Sequence, residues 1–234
     1  MKQYFLGIEF GSTRIKAVLL DEKHAIVKSG DYTWKSSLEN GVWTYHMEDV
    51  QEGLRTAIRN LGELPGKISA MGVSGMMHGY LAFDKDWNLL APFRTWQNTM
   101  TGEAADKLTE AFGFNIPQRW SAAHLYQAVL NGEPHVKNIA HVTTLAGYVH
   151  YLLTGENVLG VGEASGMFPI DSETLTYDAA MLDKFDALMA KYGFDWNIRA
   201  VLPEVRTAGQ SAGLLTPSGS EYLGGLLPAG IPLC

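Results

Sequence analysis

The first third of the chain shows the apolar and polar spacing of short strands. Apolar, β-branched and aromatic residues dominate residues 4–8 and 15–20, and a third strand is predicted at residues 25–32. Only short polar turns separate these three segments, so we expect them to pair as an antiparallel meander.

The spacing then changes to a helical period. A polar loop at residues 35–41 leads to a helix predicted at residues 48–61, and a strand at residues 68–74 follows it. Acidic residues occupy the first turn of that helix, where they interact favourably with the helix dipole. One face of the helix is apolar: Val50, Leu54, Ala57, Ile58 and Leu61. The first third therefore predicts a βββαβ order and a mixed α/β sheet.

The rest of the chain predicts helices that flank this sheet. Ser121 is the predicted N-cap of one helix, and Gly132 and Gly155 are predicted C-terminal stops. The final segment, residues 226–234, is apolar and resembles the approach to another strand, so we expect the chain to be cut from a longer one. The other predicted elements are strands at 80–83 and 168–171 and helices at 102–112, 122–131, 147–153 and 182–192.

Composition excludes several classes of protein. The 234 residues are 46% hydrophobic and 18% charged, which suits a globular fold with a core and argues against a disordered chain. A net charge of −7 without a basic stretch argues against nucleic acid or an anionic membrane as a partner. A single cysteine excludes an internal disulfide, and no apolar run has the character of a leader or a membrane span. A cytoplasmic location is therefore expected.

The turn between the first two strands carries groups that suit a phosphate chain. Gly11 allows a ligand to approach the backbone closely, and Ser12 and Thr13 add hydroxyls beside backbone N–H groups. Lys16 adds positive charge nearby, and the Glu9 carboxylate could hold a metal ion or its waters. The alternative is a tight turn of small residues that binds nothing.

Two later segments carry groups that suit a sugar. His78 interrupts a strand pattern, and Trp96 offers an aromatic face to the apolar face of a sugar ring. Gln97 and Asn98 carry amides that both donate and accept hydrogen bonds, as sugar hydroxyls require. The alternatives are a structural histidine, a core tryptophan and a solvated loop. The histidines show no metal-ligand spacing, so no zinc site is predicted.

Five short motifs occur in a fixed order along the chain. They are residues 7–13 with Lys16-Ala17, residues 72–79, residues 96–98, residues 153–155 and residues 163–166. In this order and spacing they resemble the N-terminal half of the FGGY carbohydrate kinases, most closely the xylulokinase-like members. The resemblance covers essentially the whole chain.

The resemblance implies a fold and a division of roles. The fold is α/β and ribonuclease-H-like, of the actin, hexokinase and heat-shock ATPase type, in which two such domains close over a cleft. Residues 1–234 would form the N-terminal sugar-binding domain, and the C-terminal ATP-binding domain would be absent from this chain. The implied cofactors are ATP and Mg²⁺.

The resemblance also implies roles for individual residues. Glu9 would position the metal ion. The residues facing the ATP phosphates would be Gly11, Ser12, Thr13 and Lys16. The residues contacting the sugar would be Met77, His78, Gly79, Trp96, Gln97 and Asn98.

The chain departs from the pattern of the resembled family at three positions and lacks one segment. Relatives carry aspartate in place of Glu9, a carboxylate in place of Asn98 and arginine in place of Met100. The family's catalytic aspartate lies in a Gly-Asp segment that opens the second domain. The catalytic base is therefore expected downstream of Cys234, and this chain is expected to contain no catalytic residue.

These inferences predict ATP-dependent phosphorylation of a ketose, with a pentulose such as xylulose favoured, and no activity for this chain alone. The expected partner is a small-molecule sugar, and a homodimer of the complete protein is a further expectation. The alternative is a non-catalytic sugar- or nucleotide-binding module on the same fold.

Overall fold

The computed structural model describes residues 2–234. The strands are β1 (Gln3–Phe10), β2 (Arg14–Leu20), β3 (Ile26–Thr33), β4 (Ser37–Glu39), β5 (Val42–Thr44), β6 (Lys67–Gly75), β7 (Gly79–Phe83), β8 (Arg94–Thr95), β9 (His141–Thr143), β10 (Val158–Gly160) and β11 (Glu204–Arg206). The helices are α1 (Met47–Arg59), α2 (Gly102–Phe112), α3 (Ser121–Leu130), α4 (Leu145–Thr154), α5 (Val161–Ala164), α6 (Ala179–Met189), α7 (Ile198–Val201) and α8 (Pro217–Tyr222). Two 3-10 turns lie at Pro134–Asn138 and Ala190–Tyr192.

A four-stranded mixed sheet with the order β3-β2-β1-β6 forms the centre of the first layer. β1 pairs antiparallel with β2, and β2 pairs antiparallel with β3, which confirms the predicted meander. β6 returns after α1 to pair parallel with β1. The predicted βββαβ order and the predicted mixed α/β fold class are therefore confirmed for this sheet.

Helix α1 covers one face of the sheet because its apolar stripe is continuous. The stripe residues Val50, Leu54 and Ala57 are fully buried. At Gly30 of β3 the helix comes so close that an added Cβ would lie 2.2 Å from the Ala57 carbonyl oxygen. Only glycine allows this approach, and the close packing fixes the helix against the strand.

The final segment of the chain extends the sheet beyond β6. Met71 forms a parallel bridge with Leu233, and the Met71 N–H donates to the Pro232 carbonyl at 2.9 Å. The Cys234 N–H in turn donates to the Met71 carbonyl at 3.2 Å. Only isolated bridges are formed within residues 226–234, and the prediction that the segment leads into a further strand stays a prediction.

A second layer packs around the three-stranded sheet β8-β7-β9. Helices α2, α3 and α6 surround it and enclose a separate apolar core, in which Tyr80, Phe168 and Phe185 are almost fully buried. Within residues 2–234, no helix combines the length and apolar character needed to cross a bilayer.

The structure corrects several local predictions. Residues 35–41, predicted as a polar loop, contribute to the β4–β5 hairpin. Ser121 is the first residue of α3 and not its cap, because its hydroxyl donates to the Gly79 carbonyl. The strand predicted at 168–171 forms only the isolated bridge Ile170–Tyr177. In contrast, α4 ends as predicted at Gly155, whose φ of 77° gives the left-handed cap.

Candidate functional site

Parallel pairing of β1 and β6 brings two predicted ligand segments to the same end of the central sheet, at the carboxyl ends of these strands. Phe10 and Gly75 are register partners at the carboxyl ends of these strands. The turn at residues 11–13 follows β1 directly, and the segment containing His78 follows β6. Ligands in α/β sheets commonly bind outside the carboxyl ends of the strands, so the carboxyl end of β1 and β6 is the candidate site.

A second pairing brings the two predicted sugar segments together. Gly79 of β7 is the register partner of Thr95 of β8 in an antiparallel pair. His78 directly precedes β7, and Trp96 directly follows β8. Because the two strands are antiparallel, both residues lie at the same end of the pair. Residues that lie 18 positions apart in sequence are thus brought to the same end of one strand pair.

The turn at residues 11–13 is held by its carbonyl groups and leaves its hydroxyls exposed. An added Cβ on Gly11 would lie 3.1 Å from the Arg14 carbonyl oxygen, which explains the need for a small residue there. Ser12 and Thr13 are exposed. Their backbone carbonyls instead accept hydrogen bonds from Tyr45 and Trp34, respectively.

Glu9 and Lys16 form an ion pair beside this turn. Lys16 Nζ donates to Glu9 Oε2 at 3.1 Å, and both side chains are about half exposed. The other carboxylate oxygen, Oε1, lies 3.7 Å from the position that a Cβ on Gly11 would occupy. The Glu9 carboxylate thus sits directly at the start of the turn.

This arrangement fits a Mg²⁺ ion held largely by water and phosphate oxygens. Mg²⁺ usually keeps several waters and takes only one or two protein carboxylates. Among residues 2–234, no three His, Cys, Asp or Glu side chains lie close enough to form a complete metal cage. The single Glu9 carboxylate is compatible with the water-rich coordination and not with an all-protein site.

His78 is neutral and positioned by one ring nitrogen. Its Nδ1 lies 3.4 Å from the Gly166 carbonyl oxygen, which can only accept, so Nδ1 carries the proton and Nε2 is an acceptor. Burial lowers the pKa of His78, the bond to Gly166 opposes this change, and the charge of Arg119 lowers the pKa further. A neutral imidazole with a free acceptor suits a sugar hydroxyl.

Trp96 is exposed and Gln97 is half-buried. Trp96 is 44% exposed, so the alternative of a plain core residue does not describe it. The Ser36 hydroxyl donates to Gln97 Oε1 at 2.8 Å. One acceptor position of the Gln97 carbonyl oxygen is thereby used, and its amino group has no hydrogen-bond partner among residues 2–234.

Asn98 and Gly79 are held in place by contacts within the protein. Asn98 is 3% exposed; its Oδ1 accepts from the Trp43 N–H at 2.9 Å, and its Nδ2 donates to the Trp43 and Thr95 carbonyls. Gly79 has a φ of 142°, and an added Cβ would lie 2.8 Å from the Arg94 carbonyl oxygen. Both residues are thus closely packed within the protein, and their contact with a sugar stays a prediction.

The segment at residues 163–166 supports Met77 and His78, although the sequence indicated only a turn there. Glu163 Oε1 accepts from the Gly75 N–H at 3.2 Å, at the end of β6. Burial raises the pKa of Glu163, while hydrogen bonds from Thr144 and Gly75 oppose that rise. An added Cβ on Gly166 would lie 2.6 Å from the Met77 carbonyl oxygen. The motif was visible in sequence, but its contact with β6 spans 88 residues and was not.

Comparison with known proteins gives consistent results. Residues 4–234 match the family described as "FGGY family of carbohydrate kinases, N-terminal domain". A glycerol kinase from Thermococcus gammatolerans is 25% identical over 97% of this chain and 47% of its own length. The chain therefore spans about half the length of the curated relatives it matches.

Two solved structures share the fold. A gluconate kinase from Lactobacillus acidophilus superimposes with a TM-score of 0.83 at 18% identity, over 100% of this chain and 47% of that one. A xylulose kinase from Rhodospirillum rubrum gives a TM-score of 0.81 at 22% identity, over 98% and 48%. The match across nearly the entire chain establishes that this protein belongs to the FGGY family of carbohydrate kinases.

Proposed function

We propose that this chain is the sugar-binding half of an ATP-dependent carbohydrate kinase. The full-length protein would transfer the γ-phosphoryl group of Mg·ATP to a hydroxyl of a ketose, with a pentulose such as xylulose favoured. One observation carries the proposal: the turn at residues 11–13 and the His78 segment follow adjacent parallel strands, so both lie at the same end of the sheet.

The sugar would be bound by three side chains of different chemistry. His78 Nε2 would accept a hydrogen bond from a sugar hydroxyl, and the Gln97 amino group would donate one to a sugar oxygen. Trp96 would stack on the C–H face of the sugar. Met77 would also contact the sugar, while Gly79 and Asn98 would hold the two sugar segments in position.

The phosphate chain would be received at the neighbouring turn. Ser12 and Thr13 would offer backbone N–H groups and hydroxyls, Gly11 would let the phosphates approach the backbone closely, and Lys16 would offer positive charge. Glu9 would orient waters of a bound Mg²⁺. When bound, Mg·ATP would supply the phosphoryl group, and the base that takes the proton of the sugar hydroxyl would come from the other half of the protein.

A coupled assay of ADP release tests the proposal. The 234-residue chain and the full-length protein would each be given Mg·ATP with xylulose, ribulose, fuculose, gluconate or glycerol. We expect a rate of about 1–100 s⁻¹ for one sugar in the full-length protein, and no sugar-dependent release by the chain alone. Turnover by the chain alone would place the catalytic base within residues 1–234.

Binding distinguishes the kinase from a non-catalytic module. Ligand-observed NMR on the 234-residue chain should detect the preferred sugar at millimolar affinity, about −4 kcal/mol, because the cleft is open on one side. Sugar binding without ADP release in the full-length protein would favour a sensor over a kinase. Absence of binding for every sugar tested would overturn the assignment of the sugar site.

A further inference from the structure

The segment that links β3 to α1 contacts both halves of the candidate site. It comprises residues 34–45 and contains the β4–β5 hairpin; we call it the linking segment. Its first and last residues, Trp34 and Tyr45, bond to the turn proposed to receive phosphate, and we call this pair the phosphate end. Ser36 and Trp43, which lie nearer the tip of the hairpin, bond to the segment proposed to hold the sugar, and we call this pair the sugar end.

At the phosphate end, the linking segment takes all three carbonyl groups of the turn. Trp34 Nε1 donates to the Gly11 carbonyl at 2.8 Å, and the Trp34 N–H donates to the Thr13 carbonyl at 3.1 Å. The Tyr45 hydroxyl donates to the Ser12 carbonyl at 2.7 Å. With these three carbonyls fixed, the path of the turn is determined by the linking segment.

At the sugar end, the same segment fixes two consecutive side chains. The Ser36 hydroxyl donates to Gln97 Oε1 at 2.8 Å. The Asn98 amide accepts from the Trp43 N–H and donates to the Trp43 carbonyl, as a strand neighbour would. The orientation of the Gln97 amide therefore depends on Ser36, and the position of the Asn98 side chain depends on the backbone of Trp43.

The phosphate end of the linking segment is held together by an aromatic stack. The rings of Trp34 and Tyr45 are stacked with centroids 4.2 Å apart, and both residues are buried. Burial in this stack raises the pKa of the Tyr45 phenol. Ser36 lies only two residues after Trp34 in the chain, so the residue that bonds to Gln97 is joined directly to the stack.

We propose that residues 34–45 couple the sugar segment to the phosphate turn, with Tyr45 and Ser36 as positioning residues at the two ends. The labels phosphate end and sugar end rest on the proposed function, whereas the contacts that join these two ends do not. Order imposed at Gln97 and Asn98 is transmitted through the Trp34–Tyr45 stack to the carbonyls of the turn. A sugar that fixes the Gln97 amide would therefore also fix the turn.

Amide hydrogen exchange in the 234-residue chain tests the link without any ligand. Tyr45→Phe removes the bond to the turn, and Ser36→Ala removes the bond to Gln97. We expect each variant to speed exchange at both ends, by about fivefold, which is the effect of one lost hydrogen bond. The reporters are the N–H groups of Gly11 and Trp34 at one end, and of Trp43 and Asn98 at the other.

Three controls separate coupling from general loss of stability. Leu38→Ala changes a hairpin side chain that is 57% exposed and should leave exchange at both ends unchanged. The Ala105 N–H, bonded to the Thr101 carbonyl at the start of α2, should exchange at the wild-type rate in every variant. Ser36→Thr keeps the hydroxyl and should restore slow exchange.

Effects that stay at the mutated end would overturn the proposal. Faster exchange at all positions, Ala105 included, would also overturn it, because both residues would then serve only global stability. In a second step, D-xylulose is added to wild type and Tyr45→Phe at saturating concentration. It should slow exchange at Gly11 in wild type and leave it unchanged in the variant. Failure of D-xylulose to bind would count against the proposed sugar, while the ligand-free comparison would still decide the link.

Discussion

Lys16 Nζ lies 3.1 Å from Glu9 Oε2 across the first two strands, so the carboxylate proposed to orient Mg²⁺ waters is already paired with a cation. Because both side chains are about half exposed, the pair contributes little to stability, about 0–1 kcal/mol. The pairing instead fixes the direction of the carboxylate at the start of the phosphate turn.

Glu9→Gln in the full-length protein should lower kcat by about 10²–10³ while leaving the sugar KM unchanged. The substitution keeps the side chain's size but removes the charge opposite the cation, and such contacts matter most in the transition state. Steady-state kinetics would measure both constants. Glu9→Asp should retain most activity, because the carboxylate is preserved. A wild-type kcat for Glu9→Gln would mean that Glu9 serves only as the partner of Lys16.

Gly166→Ala should abolish sugar binding by the 234-residue chain while leaving it folded. The new Cβ would lie 2.6 Å from the Met77 carbonyl and 2.9 Å from His78 Nδ1, so the sugar segment must shift. Ligand-observed NMR would report binding, and circular dichroism would report folding. Gly162→Ala is the matched control, because a Cβ there meets nothing within 4 Å. Equal binding in the two variants would contradict this account.

Sugar affinity should be constant from pH 8 to about 6.5 and should fall as the pH is lowered further. The pKa of His78 is lowered, mainly by burial, so the ring stays neutral down to a pH below the ordinary histidine value of about 6.5. Protonation removes the Nε2 acceptor and with it the proposed sugar contact. NMR titrations of affinity at several pH values would show the loss. His78→Gln, which does not titrate, should show no such dependence; an identical profile in both proteins would assign the effect to another group.

His124→Met should make the protein more resistant to acid. His124 is fully buried, neither ring nitrogen has a hydrogen-bond partner among residues 2–234, and burial lowers its pKa to about 3. Between pH 6.5 and 3 the unfolded chain therefore binds a proton that the folded chain refuses. The free energy of unfolding must then decrease as the pH falls through this window.

Urea unfolding at pH 7 and pH 5 would measure this difference. Between pH 7 and pH 5, the free energy of unfolding should decrease by about 2 kcal/mol more in wild type than in His124→Met. The difference is this large because pH 5 lies about 1.5 pH units below the ordinary histidine pKa of about 6.5. The other histidines are common to both proteins and their contributions cancel. Equal losses would mean that His124 is protonated in the folded state or reaches water.

The alternation of apolar and polar residues was sufficient to predict the central sheet. The meander of β1, β2 and β3, the amphipathic helix α1 and the strand β6 were all predicted from residues close in sequence. Each depends on local periodicity, which a chain carries in its own order of residues. The β4–β5 hairpin was missed because three-residue strands leave almost no periodic signal.

The sequence determined which chemical groups are available, and the tertiary structure decided how they are used. Gln97 and Asn98 are neighbouring amides that the sequence cannot distinguish. In the fold, Gln97 stays half-buried and accepts a hydrogen bond from the Ser36 hydroxyl, while the Asn98 amide is buried and bonded to the backbone of Trp43. These partners lie 61 and 55 residues away, and hydrogen-bond partners at that distance are chosen by strand pairing and not by local sequence.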